Sequence, residues 1–391
     1  MRFNKVIYIR YLPLTNKVFS DFYMEEVSNS GIQVEYWDIT DLFFKNKKSI
    51  LEDSSNLTNT IKFKSYSQIE ESLRQVKSQS KTLFVSIMSL ERRVLKLYKL
   101  FTKYDCALSV FGRNMFPVEP RNSNILFLLK KINLSNIYNY ILNKRFSYLK
   151  GKGIIKNYDI IFIGGNLGWK GIGMISYDDV CRAEVIKVNS DDYDNYLLFK
   201  NCQNIINEDY ILFLDEYLPL HPDTVLFDEK NIKPEDYYPE LNDYFNRVEK
   251  QFGVPVVIAA HPKAIRYLSE DFFNGRKVFF NQTAQLTKDA LFVLAHDTTS
   301  INYPIAFGKK LHFITSRNIM NNMVQIHRNI LYFSDFLGCN FQYFDNLNEK
   351  INLVDELPIE KYKSYKYEFQ TSRETEYMLT SEIFLNFLNN I

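Results

Sequence analysis

The alternation of short apolar runs with segments of helical length constrains the fold of this chain more than any other sequence feature. Within residues 289–315, an apolar run at 292–295 leads into a polar turn at 296–300, a helix-length segment and a second apolar run at 311–314. Similar runs occur at residues 6–11, 33–37, 82–87, 107–111, 159–163, 184–188, 210–214 and 255–260. Strands and helices that alternate in this way form mostly parallel sheets. The sequence therefore predicts an α/β fold.

The length of 391 residues favours two domains. Because the alternation begins at the N-terminus and resumes at residue 210, we place the connection between the domains near residues 190–208. We predict two Rossmann-like domains, at residues 1–200 and 201–365, with mostly parallel sheets that face a central cleft. Residues 366–391 are predicted to form a C-terminal helix that packs across both domains.

The composition is that of an ordinary globular protein and excludes several classes. A net charge of +2 argues against a dedicated nucleic-acid-binding protein. No C-x-x-C pair occurs among the scattered cysteines, which fits a reducing compartment and no structural zinc; these are Cys106, Cys181, Cys202 and Cys339. The first residues are typical of a β-strand and not of a signal peptide, and no run approaches the roughly 18 apolar residues of a membrane span. We therefore expect a cytoplasmic protein.

Residues 120–157 interrupt the alternation. They contain eight Lys or Arg residues and no acidic residue, interleaved with apolar side chains. A basic amphipathic segment of this kind fits peripheral contact with a membrane surface, at the inner face of the cytoplasmic membrane. The alternative is a helix pair that packs on its domain with a solvated basic face.

Three apolar runs of the second predicted domain end in polar residues. These are Asp215 and Glu216 after residues 210–214, His261, Pro262 and Lys263 after residues 255–260, and His296, Asp297, Thr298, Thr299 and Ser300 after residues 292–295. The carboxyl ends of parallel strands lie at one edge of a sheet, where ligands bind. We therefore expect these residues to share a site.

Each group suits one part of a sugar transfer. A carboxylate of Asp215 or Glu216 can act as a general base towards a sugar hydroxyl. The His261 imidazole can hydrogen-bond or protonate a phosphate leaving group, and hydroxyls at a helix start hold a phosphate without a metal. The structural alternatives are a solvated turn for the acids and capping for the other groups. His296 either supports the turn or contacts a ligand, and Asp297 either orients the turn or binds ribose.

A glycine-rich turn, Gly164-Gly165-Asn166, follows the apolar run at 159–163. Glycines in such a turn let a ligand or another stretch of backbone approach closely. The turn does not match the G-x-G-x-x-G dinucleotide fingerprint. In a two-domain enzyme it would face the cleft, so we predict that it lines the acceptor side.

The three polar segments, in this order, resemble the signatures of bacterial sialyltransferases with a GT-B architecture: an acidic D/E-D/E-G motif, an HP motif and a Ser/Thr motif. Polysialyl-, Kdo- and other nonulosonate transferases share this scheme. The resemblance implies an inverting, metal-independent transfer of a nonulosonic acid from a CMP-activated donor to a surface glycan such as capsule, O-antigen or lipooligosaccharide. It implies that residues 1–200 form the acceptor-side domain and residues 201–365 the donor domain.

The resemblance also implies roles for individual residues. Asp215 or Glu216 would be the catalytic base. His261 would contact the CMP phosphate and assist its departure, and the hydroxyls of residues 298–300 would bind the same phosphate. No metal or other cofactor is implied besides the nucleotide-sugar donor.

The resemblance extends over about residues 205–315 and departs from the family pattern in two places. Tyr217 stands where the first motif has glycine, which leaves the choice of base open. A second His-Pro pair, His221-Pro222, competes with His261-Pro262, although it follows a loop-like segment and not a strand. Three alternatives stay open: a GT-B transferase for a UDP-, GDP- or dTDP-sugar, a nucleotide-sugar epimerase, and a non-catalytic module for a glycan or membrane surface.

Overall fold

The structure is a computed structural model in which the chain forms two compact units. It describes residues 2–44, 54, 56–79, 81–117, 145–146, 148–170, 175–221, 231–347, 349–353 and 356–389. The first unit comprises the described residues up to 115, those from 145 to 191 and those from 371 onwards. The second comprises Asp192–Gln370 together with residues 116–117. The predicted limits of the domains, and the packing of residues 366–391 across both, stay predictions.

The first unit contains a seven-stranded parallel sheet with the order β3-β2-β1-β4-β5-β6-β7. Its strands are β1 (Lys5–Arg10), β2 (Gln33–Asp38), β3 (Asn59–Lys62), β4 (Thr82–Ser86), β5 (Ala107–Gly112), β6 (Ile160–Gly164) and β7 (Glu184–Val188). Alternate side chains of β1 point to opposite faces: Val6 and Tyr8 join one apolar core, and Ile7 and Ile9 join the other. Both faces are therefore covered, as parallel sheets require.

The second unit contains a six-stranded parallel sheet with the order β10-β9-β8-β11-β12-β13. Its strands are β8 (Ile211–Leu214), β9 (Val256–Ala260), β10 (Val278–Phe280), β11 (Phe292–Ala295), β12 (Lys310–Thr315) and β13 (Asn340–Tyr343). In both sheets the chain first moves outward on one side of the first strand and then returns to its other side. The predicted class of two parallel-sheet α/β domains is therefore confirmed.

Helices connect the strands. They are α1 (Asn16–Asp21), α2 (Met24–Asn29), α3 (Tyr66–Gln79), α4 (Leu95–Lys103), α5 (Tyr177–Arg182), α6 (Asp191–Phe199), α7 (Pro234–Phe252), α8 (Thr283–Asp289), α9 (Asn302–Phe307), α10 (Arg317–Asn322), α11 (Val324–Leu337), α12 (Ile359–Tyr365) and α13 (Thr380–Asn389). The helical spacing of apolar residues over 234–252 predicts a helix there, and the structure confirms it as α7. It begins at Pro234, whose fixed φ suits the first helical turn, and ends at Gly253, which has a left-handed φ of 74°.

The sequence also predicts one helix at residues 16–30, a helix at 41–51 and a polar loop at 52–65. The structure differs from the first and the last of these. One helix was expected at residues 16–30, but the structure has two, because Tyr23 adopts a left-handed conformation between them. Residues 59–62 were expected in a loop and form the edge strand β3, whose short, polar sequence carries little strand signal. The strand β13 was not predicted. The helix predicted at 41–51 falls largely outside the described residues, and its first residues form a 3₁₀ turn at Thr40–Leu42.

The basic segment at 120–157 is described only from Arg145 onwards. Two of its described cations are in ion pairs, Lys150 with the buried Asp179 at 2.6 Å and Lys156 with Asp159 at 2.9 Å. These two are therefore partly neutralised by carboxylates from outside the segment. Among the described helices, none is both long and apolar enough to cross a bilayer.

Candidate active site

The three predicted polar strand ends lie at one edge of the second sheet. Strands β9, β8 and β11 are neighbours, and both pairs are parallel. Leu214 at the end of β8 pairs with Ala259 on one side and Ala295 on the other, so the three polar segments begin at nearly the same level. The chain order reverses here, because β9 and β11 lie on opposite sides of β8. Such a switch point is where ligands bind in open α/β sheets.

The Asp215 carboxylate holds the ends of β8 and β9 together. Asp215 is buried, and its carboxylate accepts hydrogen bonds from the backbone N–H groups of Tyr217 and His261, the latter at 3.5 Å. The Tyr267 hydroxyl donates to the other oxygen at 3.3 Å. Burial raises the pKa of Asp215 to about 6, although these hydrogen bonds favour the charged form. Because the protein engages both oxygens, the geometry favours a positioning role for Asp215.

Tyr217 adopts the backbone conformation that the glycine of the first motif would supply. Its φ of 57° and ψ of 34° are left-handed, which costs a residue with a Cβ roughly 1–2 kcal/mol. The side chain is buried, and its ring packs edge-on against Tyr267 with 5.2 Å between ring centroids. Packing of the ring offsets the backbone strain, so the turn keeps its shape without glycine.

The Glu216 carboxylate faces the end of β11. One oxygen, Oε2, is buried and has no hydrogen-bond partner among the residues that the structure describes. The backbone N–H of Asp297 donates to the carboxylate. Burial raises the pKa of Glu216 well above its ordinary value, and the negative charges of Asp297 and Asp215 raise it further. An unpartnered buried oxygen with high proton affinity is what a general base towards a hydroxyl requires.

The Asp297 carboxylate is held by a residue of α11, and both of its predicted roles, orienting the turn and binding ribose, stay predictions. The Asn329 side-chain amide donates to its Oδ2 at 2.6 Å. Burial raises the pKa of Asp297 to about 6, and the hydrogen bond from Asn329 opposes that rise. The carboxylate is therefore fixed beside Glu216 and increases its proton affinity.

His261 follows β9 and is half-buried. Its Nδ1 accepts a hydrogen bond from the backbone N–H of Lys263 at 3.1 Å, so in the neutral ring the proton lies on Nε2. The ring packs edge-on against His221, with 4.9 Å between centroids. The two candidate histidines thus lie together, although Pro222 is outside the described residues. Pro262 and Lys263 are exposed at the same edge.

The hydroxyl-bearing turn after β11 is part of a helix start. The Thr298 side chain accepts a hydrogen bond from the backbone N–H of Ser300 at 3.2 Å and caps the 3₁₀ turn Thr299–Ile301, which continues into α9. Thr299 is exposed, and Thr298 and Ser300 are half-buried. The capping interpretation is confirmed for Thr298, and phosphate binding by the three hydroxyls stays a prediction.

His296 supports this turn from below. It is fully buried, and its Nδ1 lies 2.6 Å from the Ile314 carbonyl while its Nε2 lies 2.8 Å from the Tyr237 hydroxyl. Nδ1 therefore carries the proton and Nε2 accepts one from tyrosine. Burial lowers the pKa of His296 to about 4, which keeps the ring neutral. Both nitrogens are engaged within the protein, so the geometry favours the structural alternative over a ligand contact.

The glycine-rich turn lies in the first unit, at the end of β6. A Cβ at nearby Gly168 would come within 2.1 Å of the Gly164 carbonyl oxygen and 2.6 Å of the Gly112 carbonyl oxygen. Gly165 has a positive φ of 65°, and Asn166 is exposed. Close approach of one backbone segment to another therefore accounts for Gly168, and the left-handed φ accounts for Gly165. Lining of the acceptor side by Gly164, Gly165 and Asn166 stays a prediction.

Three residues that hydrogen-bond to the site residues were not found from the sequence. They are Tyr267, which contacts Asp215, Tyr237, which contacts His296, and Asn329, which contacts Asp297. The chain has 27 tyrosines, so no single tyrosine carries a signal. Their roles depend on tertiary contacts that leave no short motif. Within the described part of the chain, no group of three or more His, Cys, Asp or Glu side chains is arranged to hold a metal ion.

Comparison with known proteins bears on the fold. No protein-family model matches the chain, and no curated protein matches its sequence. A variant of the wall teichoic acid polymerase TagF is similar in structure, with a TM-score of 0.51 at 10% identity over 99% of this chain and 88% of that one. TagF itself gives a TM-score of 0.50 with the same identity and coverage. The calicheamicin glycosyltransferase CalG4 gives 0.41 at 11% identity, over 100% of this chain and 94% of that one.

At this identity the similarity concerns the fold alone. TagF is a GT-B glycosyltransferase, and the present chain has the two parallel-sheet α/β units of that fold. The chain is therefore a protein of GT-B fold. Its candidate active site lies at the switch point of the second sheet.

Proposed function

We propose that this chain is an inverting, metal-independent glycosyltransferase. It transfers a nonulosonic acid, such as sialic acid or Kdo, from a CMP-activated donor to a bacterial surface glycan. The arrangement of Glu216 carries this proposal. An unpartnered, buried carboxylate oxygen lies at the same sheet edge as His261 and the hydroxyls of residues 298–300. These are the groups that the resemblance to sialyltransferases assigns to the base and to the donor phosphate.

The transfer is a single displacement at the anomeric carbon. The acceptor hydroxyl gives its proton to Glu216 as its oxygen forms a bond to that carbon. The bond from the carbon to the CMP phosphate oxygen breaks on the opposite face, and its electron pair leaves with the phosphate. His261 donates a hydrogen bond from Nε2 to that phosphate, which stabilises its growing charge. Asp215 positions Tyr217 and His261, and Asp297 raises the proton affinity of Glu216.

The proposal includes a location at the inner face of the cytoplasmic membrane, where a lipid-linked glycan is accessible. The basic segment at 120–157 supports it through its eight Lys or Arg residues, of which Lys150 and Lys156 are paired with carboxylates outside the segment. Flotation with vesicles of phosphatidylglycerol, compared with phosphatidylcholine, tests this part separately. Binding to neither kind of vesicle would remove the membrane contact and leave the transferase proposal intact.

A nucleotide panel tests the donor class. Calorimetric titration with CMP, UDP, GDP and dTDP is expected to give binding with CMP alone, because the proposed site holds one phosphate. Preferential binding of a nucleoside diphosphate would instead identify a transferase or epimerase for a diphosphate sugar. Addition of EDTA is expected to leave CMP binding and transfer unchanged.

Replacement of His261 by alanine tests the donor contact. Because the variant loses a hydrogen bond to developing charge, transfer from a CMP-sugar is expected to fall by roughly 100-fold or more. Thermal unfolding, measured in parallel, is expected to be close to that of the wild type, since the ring is only half-buried at the edge of the sheet. Unchanged turnover would overturn the assigned role.

A further inference from the structure

A second ligand cavity lies in the first unit, at the carboxyl ends of β1 and β4. Its volume is about 190 Å³. The residues that line the cavity include Arg10, Tyr11, Phe22, Ser86, Ser89 and Phe111. The proposed transfer reaction assigns no role to any of them.

The position of the cavity is that of a binding site. The chain runs outward from β1 through β2 to β3 and then returns to β4 on the other side of β1. The loops after β1 and β4 therefore diverge and open a crevice, which is the usual ligand position in sheets of this kind. In the strand order, β1 and β4 correspond to β8 and β11 of the second sheet. The cavity therefore corresponds in position to the site of Glu216 and Asp297.

The charge of the cavity comes from Arg10. Among the described residues, no acidic side chain lines the cavity. The Arg10 guanidinium makes one hydrogen bond within the described chain, a long one from Nη1 to the Pro13 carbonyl at 3.5 Å. Glu91, which lies 3.5 Å from the Tyr11 hydroxyl, is paired with Arg93 at 2.6 Å and does not neutralise Arg10. The planar guanidinium is therefore available for a carboxylate, which it binds through two parallel hydrogen bonds.

The walls of the cavity suit a sugar ring. Phe22 and Phe111 pack edge-on against each other, with centroids 5.5 Å apart, and Tyr11 adds a third aromatic face. Ser86 and Ser89 contribute hydroxyls. Apolar walls with a few polar groups are typical of small-molecule sites. The volume is below the roughly 300–1,000 Å³ that is usual for small-molecule pockets, so the cavity suits a single sugar residue better than a whole nucleotide sugar.

We infer that this cavity binds the carboxylate of an acidic sugar at the end of the acceptor glycan, and that Arg10 determines this specificity. The inference rests on the proposed function, because it names the acceptor class of the same transferase. It makes the enzyme one that adds a nonulosonic acid to a chain already ending in an acidic sugar.

The test compares two acceptors and two arginine variants. The acceptors are a glycoside ending in N-acetylneuraminic acid and the same glycoside with its carboxyl converted to the methyl ester. Arg10→Gln is expected to raise KM for the acid roughly 10-fold or more, since a hydrogen-bonded charge pair is lost, and to leave KM for the ester unchanged. Arg182→Gln, at an exposed position on the last turn of α5, is the matched control and is expected to change neither.

The outcomes separate this inference from the proposed function. A higher KM for the CMP-sugar, with acceptor KM unchanged, would mean that Arg10 serves the donor and would overturn the inference. Equal use of acid and ester by the wild type would overturn it as well. If no CMP-sugar is used at all, the proposed function fails, and direct binding still tests the cavity. Saturation-transfer NMR with the methyl glycoside of N-acetylneuraminic acid is then expected to show binding that Arg10→Gln abolishes.

Discussion

The two sheets share a strand pattern and differ in the charge at their switch points. Around the first strand the order is β2-β1-β4 in one unit and β9-β8-β11 in the other, all parallel. The edge after β1 and β4 carries Arg10, with no acidic side chain among the described residues that line its cavity. The edge after β8 and β11 carries Glu216 and Asp297. Topology thus determines where each site lies, and the residues at or just after the carboxyl ends of the central strands determine its chemistry.

This difference has an electrostatic consequence. Burial raises the pKa of Glu216, the proposed base, and the negative charges of Asp297 and Asp215 raise it further. The edge of the first sheet carries a single guanidinium, whose planar fork of donors suits a fixed anion such as a carboxylate. We therefore expect proton transfer at one edge and recognition of a charged sugar at the other.

The largest expected effect comes from removing the proposed base. Glu216→Gln keeps the size of the side chain and an oxygen for the Asp297 N–H, but it cannot accept a proton. Turnover with a CMP-sugar is expected to fall roughly 100- to 10,000-fold, the usual contribution of general base catalysis. Stability at neutral pH is expected to stay equal or to rise, because a buried charge disappears.

Steady-state kinetics and chemical denaturation check both halves of this prediction. Glu235→Gln, at an exposed position in the first turn of α7, is the matched control and is expected to leave both unchanged. Normal turnover of the Glu216→Gln enzyme would contradict the claim that proton transfer takes place at the edge of the second sheet.

A smaller effect is expected from Asp297→Asn, which keeps the proposed base and removes a negative charge beside it. In the wild type, burial and the negative charge of Asp297 raise the pKa of Glu216. The acidic limb of the pH profile, over which kcat/KM rises with pH, is therefore expected to have its midpoint above the usual pKa of a carboxylate. The variant lacks that charge, so the pKa of Glu216 falls and the limb moves to lower pH. The measurement is kcat/KM from about pH 4 to 9. A limb at the same pH in both enzymes would show that another group titrates.

The sequence predicted the fold and the shared edge of the site. Apolar runs between turn residues located ten of the strands to within about one residue at each end. They did so because strands buried in a parallel sheet are apolar along their whole length. The shared edge followed from parallel pairing, since polar residues after β8, β9 and β11 had to emerge together. The edge strand β3 was missed because its NTIK sequence is short and polar.

The division of roles within the site was not predictable from residue order. Asp215 and Glu216 are adjacent acids with the same chemistry, and the contacts of Tyr267 and Asp297 distinguish them. Likewise, His296 stands in a polar turn in the sequence, but its side chain enters the core between Tyr237 and Ile314. Such contacts depend on residues tens of positions away, which no local pattern encodes.

The smallest expected effect concerns the turn after β8, where the backbone conformation differs most from that of the corresponding turn after β1. Tyr217 after β8 has φ 57°, whereas none of the described residues at 11–15, after β1, has a positive φ. Tyr217→Ala and Tyr217→Gly both remove the ring, so both are expected to destabilise the second unit. The glycine variant is expected to be more stable than the alanine variant by about 1 kcal/mol, because glycine adopts left-handed φ without strain.

Chemical denaturation of the pair measures this difference, and a second pair gives the control. At the exposed Asp243 in the middle of α7, the order is expected to reverse, with alanine more stable than glycine by about 1 kcal/mol, since helix interiors favour alanine. If alanine were the more stable residue at both positions, Tyr217 would carry no backbone strain. The left-handed turn at the proposed catalytic edge would then owe its shape to Asp215, whose carboxylate accepts a hydrogen bond from the Tyr217 N–H.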